Sequence, residues 1–278
     1  MMYNKIQRDY GYAHMNKITK ITFTIIAFAL VGYVASFFVQ PPPSGTENEL
    51  STFHWSLANS VLYTTLYVGA AILFIIGLSA YKAKLRLAYT AIAVGIVLVG
   101  AGLAQVVLLR IFGLLGSPWV IYGGVTLPFV AAGLAIYLGV RSIAKLVGIT
   151  SALTKLKFVL PLLFACIVLV YLIPHSTSSL PEIFYDISNA ISMGDAVFYV
   201  VSFGLVFQIK NHSGSHYAHS MKWLMLGLIG SVLISLSILA VALMTGESLT
   251  GYPLDILVIA GGLIYLKAGH SFAQTKKV

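Results

Sequence analysis

Runs of about twenty mostly apolar residues recur along this chain, and each is long enough to cross roughly 30 Å of hydrocarbon as a helix. The whole sequence is 59% hydrophobic and 9% charged, whereas soluble domains carry roughly 25% charged residues. We therefore predict an all-α polytopic integral membrane protein with eight transmembrane helices. The predicted spans are 21–39, 59–80, 87–109, 118–140, 158–173, 188–209, 223–245 and 252–269.

Seven spans is the competing count, because two of the eight runs are weak. The run 158–173 is short and contains Pro161, while Asp255 and two adjacent glycines dilute the run 252–269. Lys and Arg are retained on the cytoplasmic side close to the spans. Sixteen of the seventeen basic residues fall on alternate connections, and Arg110 is the exception. We therefore predict a multi-pass protein of the cell membrane, with eight crossings and both termini in the cytoplasm.

The second half of the sequence resembles the first at a spacing of about 130 residues, which predicts an internal duplication. The matching segments are 57–61 with 187–191, 132–138 with 260–266, and 39–41 with 172–174. Because each half has an even number of helices, the two repeats are expected to be parallel. The predicted organisation is a cytoplasmic segment 1–20, a repeat 21–140, a cytoplasmic linker 141–157, a repeat 158–269 and a cytoplasmic tail 270–278.

Small residues on the third helix of each half predict where the halves pack, because close backbone approach drives helix association in lipid. These residues are Gly95, Gly100 and Ala104 in the first half, and Gly227, Gly230 and Ser231 in the second. A seam between repeats is a common place for a ligand cavity. A plain packed interface, or a lipid-facing role for the small residues, is the alternative.

Asp195 is the leading candidate for a ligand or ion site, because ionisable groups within the hydrocarbon are costly and usually functional. It lies nine residues beyond Asp186, about 13 Å further along its helix. Its counterpart in the first half is Thr65, so the repeat itself does not require a charge there. Asp195 is predicted to bind a proton or a cation, or to pair with Arg110. A structurally paired carboxylate in a wet outer vestibule is the alternative.

Three other polar residues belong to the same outer half and are weaker ligand or ion candidates: Gln105, Asp186 and Asp255. Asp255, together with Asn59 and Asn189, is also at a position where a side-chain oxygen would cap a helix start. Capping is the favoured interpretation for those three residues.

Motifs of catalysis and of metal binding do not occur in the sequence: there is no phosphate loop, HExxH or GxSxG. His212, His216 and His219 have helical spacing, but Ser213–Ser215 interrupts them and no carboxylate accompanies them. The single cysteine, Cys166, allows no disulfide within one chain. We predict no enzyme activity, no metal, no cofactor and no nucleic-acid partner, while haem and quinone stay open as ligands.

Three classes of function agree with these features. The favoured one is a non-catalytic membrane subunit or scaffold that binds lipid, quinone or partner proteins, in a complex or a homo-oligomer. The second is a small transporter or channel with a cavity at the seam between the repeats. The third is the input domain of a membrane sensor. The sequence ranks transport second because its polar groups stop in the outer half of the bilayer.

Overall fold

The described part of the chain is helical throughout, without a strand. A computed structural model describes residues 2–40, 47–81, 83–112, 127–171, 182–212, 215–245 and 252–274. Its α-helices are α1 (Met2–Ala35), α2 (Glu47–Gly77), α3 (Ala83–Ile111), α4 (Leu127–Leu146), α5 (Leu156–Tyr171), α6 (Glu182–His212), α7 (Ser215–Thr245) and α8 (Tyr252–Ala273). Five helices, α1 to α4 and α8, contain stretches long and apolar enough to cross a membrane. A helical membrane protein is therefore the class that the fold supports.

Helix bounds differ from the predicted segments mainly at the inner connections. The predicted segment 1–20 is continuous with the first span, because α1 runs unbroken from Met2 to Ala35. The predicted linker 141–157 includes the end of α4, a turn at Gly148 with φ +80°, a 3₁₀ helix at Ala152–Thr154, and the start of α5. The first nine residues of the predicted span 118–140 lie outside the described residues.

Six of the described helices contact one another in succession and close a ring. Helix α2 packs on α3, α3 on α4, α4 on α6, α6 on α7, α7 on α8, and α8 returns to α2. Outside this ring, α1 packs mainly on α2, and α5 packs on α6. The first four helices therefore meet the last four chiefly at two junctions, α2 with α8 and α4 with α6.

The predicted small residues bring helices close together, but within each half. A Cβ added at Gly95 would lie 2.8 Å from the Ala132 carbonyl oxygen of α4. A Cβ added at Gly227 would lie 3.0 Å from the Tyr265 ring of α8. Helices α3 and α7 thus pack on their neighbours along the chain, and the junctions between the halves are made by other helices. The sequence predicts that α3 and α7 form the seam between the halves. The main contacts of these two helices are different, because each packs between two helices of its own half.

Aromatic side chains pack at the end of the ring where α2 and α8 end and α3 begins. The ring of Phe272 in α8 lies 5.1 Å from Phe74, 4.8 Å from Tyr81 and 4.4 Å from Tyr89, measured between centroids. All four side chains are buried. We call these four residues the inner aromatic cluster. It closes the space between α2, α3 and α8 near their cytoplasmic ends as predicted from the charges.

Candidate functional site

Asp195 is buried in the middle of α6, with 7% of its surface exposed. From Asp195 to Lys210, near the end of α6, the helix rises about 22 Å. Asp195 therefore lies far from the basic residue near the end of its helix. Asp195, the main candidate chosen from the sequence, is therefore a buried residue in the middle of a long helix.

One carboxylate oxygen of Asp195 has a hydrogen-bond partner and the other has none among the described residues. The Ser235 hydroxyl of α7 donates to Oδ2 over 2.8 Å. Oδ1 is buried without a partner and points toward Gly133 of α4, where an added Cβ would be 2.9 Å away. The carboxylate therefore lies where three helices, α4, α6 and α7, converge. The Tyr199 hydroxyl is also within hydrogen-bonding reach of this carboxylate. Neutral hydroxyls are a small compensation for a buried charge.

Three tyrosines from different helices lie within reach of this carboxylate. Tyr199 lies one turn along α6, Tyr67 is on α2 and Tyr265 is on α8, and each lies close enough to interact with the charge of Asp195. All three side chains are buried. The rings of Tyr67 and Tyr265 are 5.5 Å apart, and the Tyr265 hydroxyl is 3.0 Å from the Ser231 Oγ. We call Asp195, Tyr199, Tyr67, Tyr265, Ser231 and Ser235 the central polar cluster.

A polar stripe continues from Asp195 toward the inner end of α6. Asp195, Tyr199 and Ser202 follow at intervals of four and three residues, which puts them on one helix face. Ser202 is fully buried, and its Oγ has no hydrogen-bond partner among the described residues. From Asp195 to Ser202 the stripe extends about 10 Å. The buried polar groups of α6 therefore include Tyr199 and Ser202 in addition to Asp195.

Asp255 is also buried, but its surroundings differ from those of Asp195. The Asn59 amide of α2 donates to Asp255 Oδ2 over 3.1 Å, which joins α2 to α8. Asn59 lies well inside α2, which begins at Glu47, so it does not cap that helix. Asp255 belongs to the first turn of α8. The interpretation of Asn59 as a cap is therefore replaced by a hydrogen bond across a junction.

The remaining candidates do not join the central polar cluster in the described part of the chain. Gln105 is exposed on α3. Arg110 and Asp186 belong to α3 and α6, and their side chains lie outside the described residues, as does that of Asn189. The pairing of Asp195 with Arg110 stays a prediction.

The tyrosines and Ser235 are the residues that sequence reasoning missed. Tyrosines in membrane proteins gather at the interfaces, so the residue type did not indicate that Tyr67, Tyr199 and Tyr265 are buried. The spacing of Tyr199 and Ser202 from Asp195 was a usable signal, because it repeats the 3.6-residue period. No signal in the sequence joins Tyr67 to Asp195, since only the ring of helices brings α2 and α6 side chains together.

The donor set of the cluster is one carboxylate and five hydroxyls. Among the described side chains, no group of three His, Cys, Asp or Glu residues converges in a way that holds a metal ion. The cluster therefore offers proton exchange, hydrogen bonding and one negative charge as its chemistry.

Comparison with protein-family models, with curated proteins and with solved structures found no match. The class that the fold defines is a helical membrane protein. Its function has to be argued from the geometry of the central polar cluster.

Proposed function

We propose that the chain crosses the membrane eight times, as two parallel four-helix repeats, and carries a small cation through the centre of the helix ring. Asp195 is the binding residue of this carrier. Of the three classes of function, transport fits best with buried polar groups that extend along α6 from Asp195 to Ser202.

The pattern of helix neighbours supports the duplication. If α1 to α4 correspond to α5 to α8, each contact has an equivalent: α1 with α2 and α5 with α6, α2 with α3 and α6 with α7, α3 with α4 and α7 with α8. The two junctions, α2 with α8 and α4 with α6, also correspond. This is the set of contacts expected of two similar units related by a two-fold axis along the membrane normal.

Equivalent residues at the two junctions support the same proposal. Gly133 of α4 faces α6, and Gly261 of α8, 128 residues later, faces the Tyr67 hydroxyl of α2. Tyr137 of α4 packs on the Phe198 ring with centroids 5.9 Å apart, and Tyr265 packs on Tyr67 in the corresponding way. The repeated segments 132–138 and 260–266 therefore have matching neighbours.

The observation that carries the cation proposal is the setting of Asp195. Among the described residues, the hydrogen-bond donors to this buried carboxylate are the neutral hydroxyls of Ser235 and Tyr199. A buried carboxylate with only neutral donors favours a bound positive charge. Both halves contribute to this setting, because Tyr67 and Gly133 come from the first and the other groups from the second. A site between two repeats is accessible from alternate sides when one repeat moves against the other.

Passage to the inner side requires movement of the inner aromatic cluster. Its rings are packed at centroid distances of 4.4 to 5.1 Å, which closes the space between α2, α3 and α8 in this conformation. A closed inner end is expected of a carrier that closes one side of the membrane while it opens the other. It is not expected of a permanently open pore.

The test is ion flux in vesicles. Purified protein is reconstituted into liposomes that contain dyes for H⁺, Na⁺ or K⁺, and a potential of either sign is imposed. We expect at least one of the three ions to cross in the wild type, and Asp195→Asn to reduce the flux to that of empty vesicles. Asp255→Asn is the matched control, since it neutralises the other buried acid, and it keeps the flux.

Two results would overturn the carrier. One is the absence of H⁺, Na⁺ and K⁺ flux in folded wild-type protein. The other is an equal flux in the wild type and in Asp195→Asn, because the ions would then cross elsewhere. Circular dichroism and gel filtration of each variant establish that the compared proteins are folded.

A membrane subunit is the second candidate, and the outer surface of α1 favours it. Phe23, Phe28, Val31 and Val34 on this helix are each more than half exposed, and α1 packs mainly on α2. Such a face contacts either lipid or another membrane protein. Purification in mild detergent, with mass spectrometry and an absorption spectrum, separates these cases. A stoichiometric partner without ion flux favours the subunit, and a lone colourless protein with ion flux favours the carrier.

A further inference from the structure

The cation that Asp195 takes is decided by the ligands and the space around its carboxylate. The carboxylate itself and the Ser235 hydroxyl, 2.8 Å from Oδ2, are the nearest oxygen groups. The Tyr199 hydroxyl is within hydrogen-bonding reach of the carboxylate, and the hydroxyls of Tyr67 and Tyr265 lie further out, within the reach of its charge. The site is therefore rich in groups that both donate and accept a proton.

Backbone carbonyl ligands are missing at this depth, because the helices through the cluster are unbroken. Sodium sites near the midplane of transporters use carbonyls of unwound helix segments. Here each helix that contributes to the cluster continues through it as regular α-helix, so its carbonyls are bonded within the helix. The continuous helices are α2 (Glu47–Gly77), α6 (Glu182–His212), α7 (Ser215–Thr245) and α8 (Tyr252–Ala273).

The free side of the carboxylate is closely packed. An added Cβ at Gly133 would lie 2.9 Å from Asp195 Oδ1 and 3.2 Å from the Phe198 Cβ, so not even a methyl group fits between α4 and α6 without a shift. A hydrated metal ion or an organic ammonium group is larger than a methyl group. A bare Na⁺ or K⁺ ion is smaller, but it needs several oxygen ligands, and the described side chains next to Gly133 offer only the Asp195 carboxylate. A proton needs no such space.

The groups that face Asp195 from the neighbouring helices carry no positive charge in the described part of the chain. Its own helix presents Tyr199, α7 presents Ser235 and α4 presents Gly133. Across the ring lie Tyr67 and Tyr265. The described basic residues of the elements packed against α6 are near their inner ends, namely Arg141, Lys145, Lys155, Lys157 and Lys222.

We propose that the ion bound and exchanged at Asp195 is a proton, held between its carboxylate and the hydroxyls of the central polar cluster. The inference rests on the proposed carrier function and names its ion. Protonation forms an O–H bond on one carboxylate oxygen and removes the negative charge, and release to either side restores it. The proton crosses on Asp195 when the two repeats change which side has access to it.

Infrared spectroscopy of the reconstituted protein tests the occupant without a transport substrate. A protonated carboxyl group has a C=O stretching band that an ionised carboxylate lacks, and the band shifts when the proton exchanges for a deuteron. Spectra are recorded for the wild type, Asp195→Asn and Asp255→Asn in H₂O and D₂O at neutral pH. We expect a protonated carboxyl band that is lost in Asp195→Asn, is kept in Asp255→Asn and shifts in D₂O.

Two spectral results would overturn the proton. If the difference between the wild type and Asp195→Asn contains only ionised carboxylate bands, and Na⁺ or K⁺ raises the thermal midpoint of the wild type alone, the ion is a metal cation. If the band is present but does not shift in D₂O, the carboxyl is a sealed structural group and exchanges no proton.

Flux in the vesicles separates this inference from the carrier proposal. An exchangeable Asp195 band without any H⁺ flux would overturn the carrier and leave the proton as the occupant. Flux of Na⁺ or K⁺ that depends on Asp195, with an ionised carboxylate in the spectrum, would keep the carrier and overturn the proton. Both proposals stand if the Asp195 carboxyl band shifts in D₂O and H⁺ flux is lost in Asp195→Asn.

Discussion

The two junctions between the halves have similar close helix contacts and carry different polar groups. At the junction of α2 with α8, the Asp255 carboxylate accepts from the Asn59 amide near the start of α8. At the junction of α4 with α6, the Asp195 carboxylate lies deeper and accepts from the Ser235 hydroxyl. In the proposed function, Asp255 with its amide partner has a structural role. Asp195, whose donors among the described residues are the hydroxyls of Ser235 and Tyr199, takes the proton.

Glycines set the close approach at both junctions, and they allow the comparison to be tested with equal steric changes. An added Cβ at Gly133 would be 2.9 Å from Asp195 Oδ1, and one at Gly269 would be 2.9 Å from the Ala70 carbonyl oxygen. The first contact is with the proposed binding group, and the second is with the backbone of α2. The same methyl group therefore has different functional consequences at the two junctions.

Gly133→Ala and Gly269→Ala form the pair with the largest expected effect. Both overpack a tight contact, and each is expected to lower the free energy of unfolding by about 1–3 kcal/mol. Only Gly133→Ala displaces the Asp195 carboxylate, and a displacement that costs about 1.4 kcal/mol slows H⁺ flux about tenfold. The measurements are thermal unfolding in detergent and vesicle flux per folded molecule.

Gly230→Ala is the control for this pair, because its added Cβ would meet only Gly261 Cα at 3.7 Å. It should change neither stability nor flux. Equal flux in Gly133→Ala and Gly269→Ala would contradict the distinction between the junctions.

The two serines of α7 give the next smaller effect. Ser235→Ala removes the donor to Asp195, whereas Ser231→Ala removes the partner of the Tyr265 hydroxyl. A hydrogen bond contributes about 1 kcal/mol, so we expect Ser235→Ala to slow H⁺ flux about fivefold. Ser231→Ala is expected to slow H⁺ flux less than Ser235→Ala does, because Ser231 contacts Tyr265 and not Asp195, and vesicle flux compares the two. If Ser231→Ala slows flux as much as Ser235→Ala, the serine at Asp195 has no special role.

A double-mutant cycle on Asn59→Ala and Asp255→Ala gives the smallest effect. Side-chain hydrogen bonds between membrane helices contribute about 0.6 kcal/mol on average and about 1.7 kcal/mol at most. We expect a coupling free energy of unfolding in this range, with H⁺ flux unchanged in all three variants. Loss of flux in Asp255→Ala would assign Asp255 to the ion route and remove the contrast with Asp195.

Helix positions were predictable from the sequence because the cause is local. A run such as 87–109 is apolar over its whole length, and its backbone must bond internally in lipid, so α3 (Ala83–Ile111) forms around it. Asp195 stood out in the sequence as a candidate site because a carboxylate within an apolar run is rare and costly, and its burial in α6 is what the structure adds. The helix partners were not predictable, because small residues such as Gly95 fit against any neighbour that comes close.

By itself, the sequence determined that this chain forms apolar helices, where the deep carboxylate lies along α6, and that similar segments recur 128 to 133 residues apart. Those properties depend on the solvent and on neighbours in the chain. Tertiary structure alone decided that α2 meets α8, that α4 meets α6, and that Tyr67 and Tyr265 lie near Asp195. The physical reason is that lipid is as apolar as the helix surfaces, so hydrophobicity directs helices into the bilayer without choosing their partners. Close packing and hydrogen bonds between distant residues make that choice.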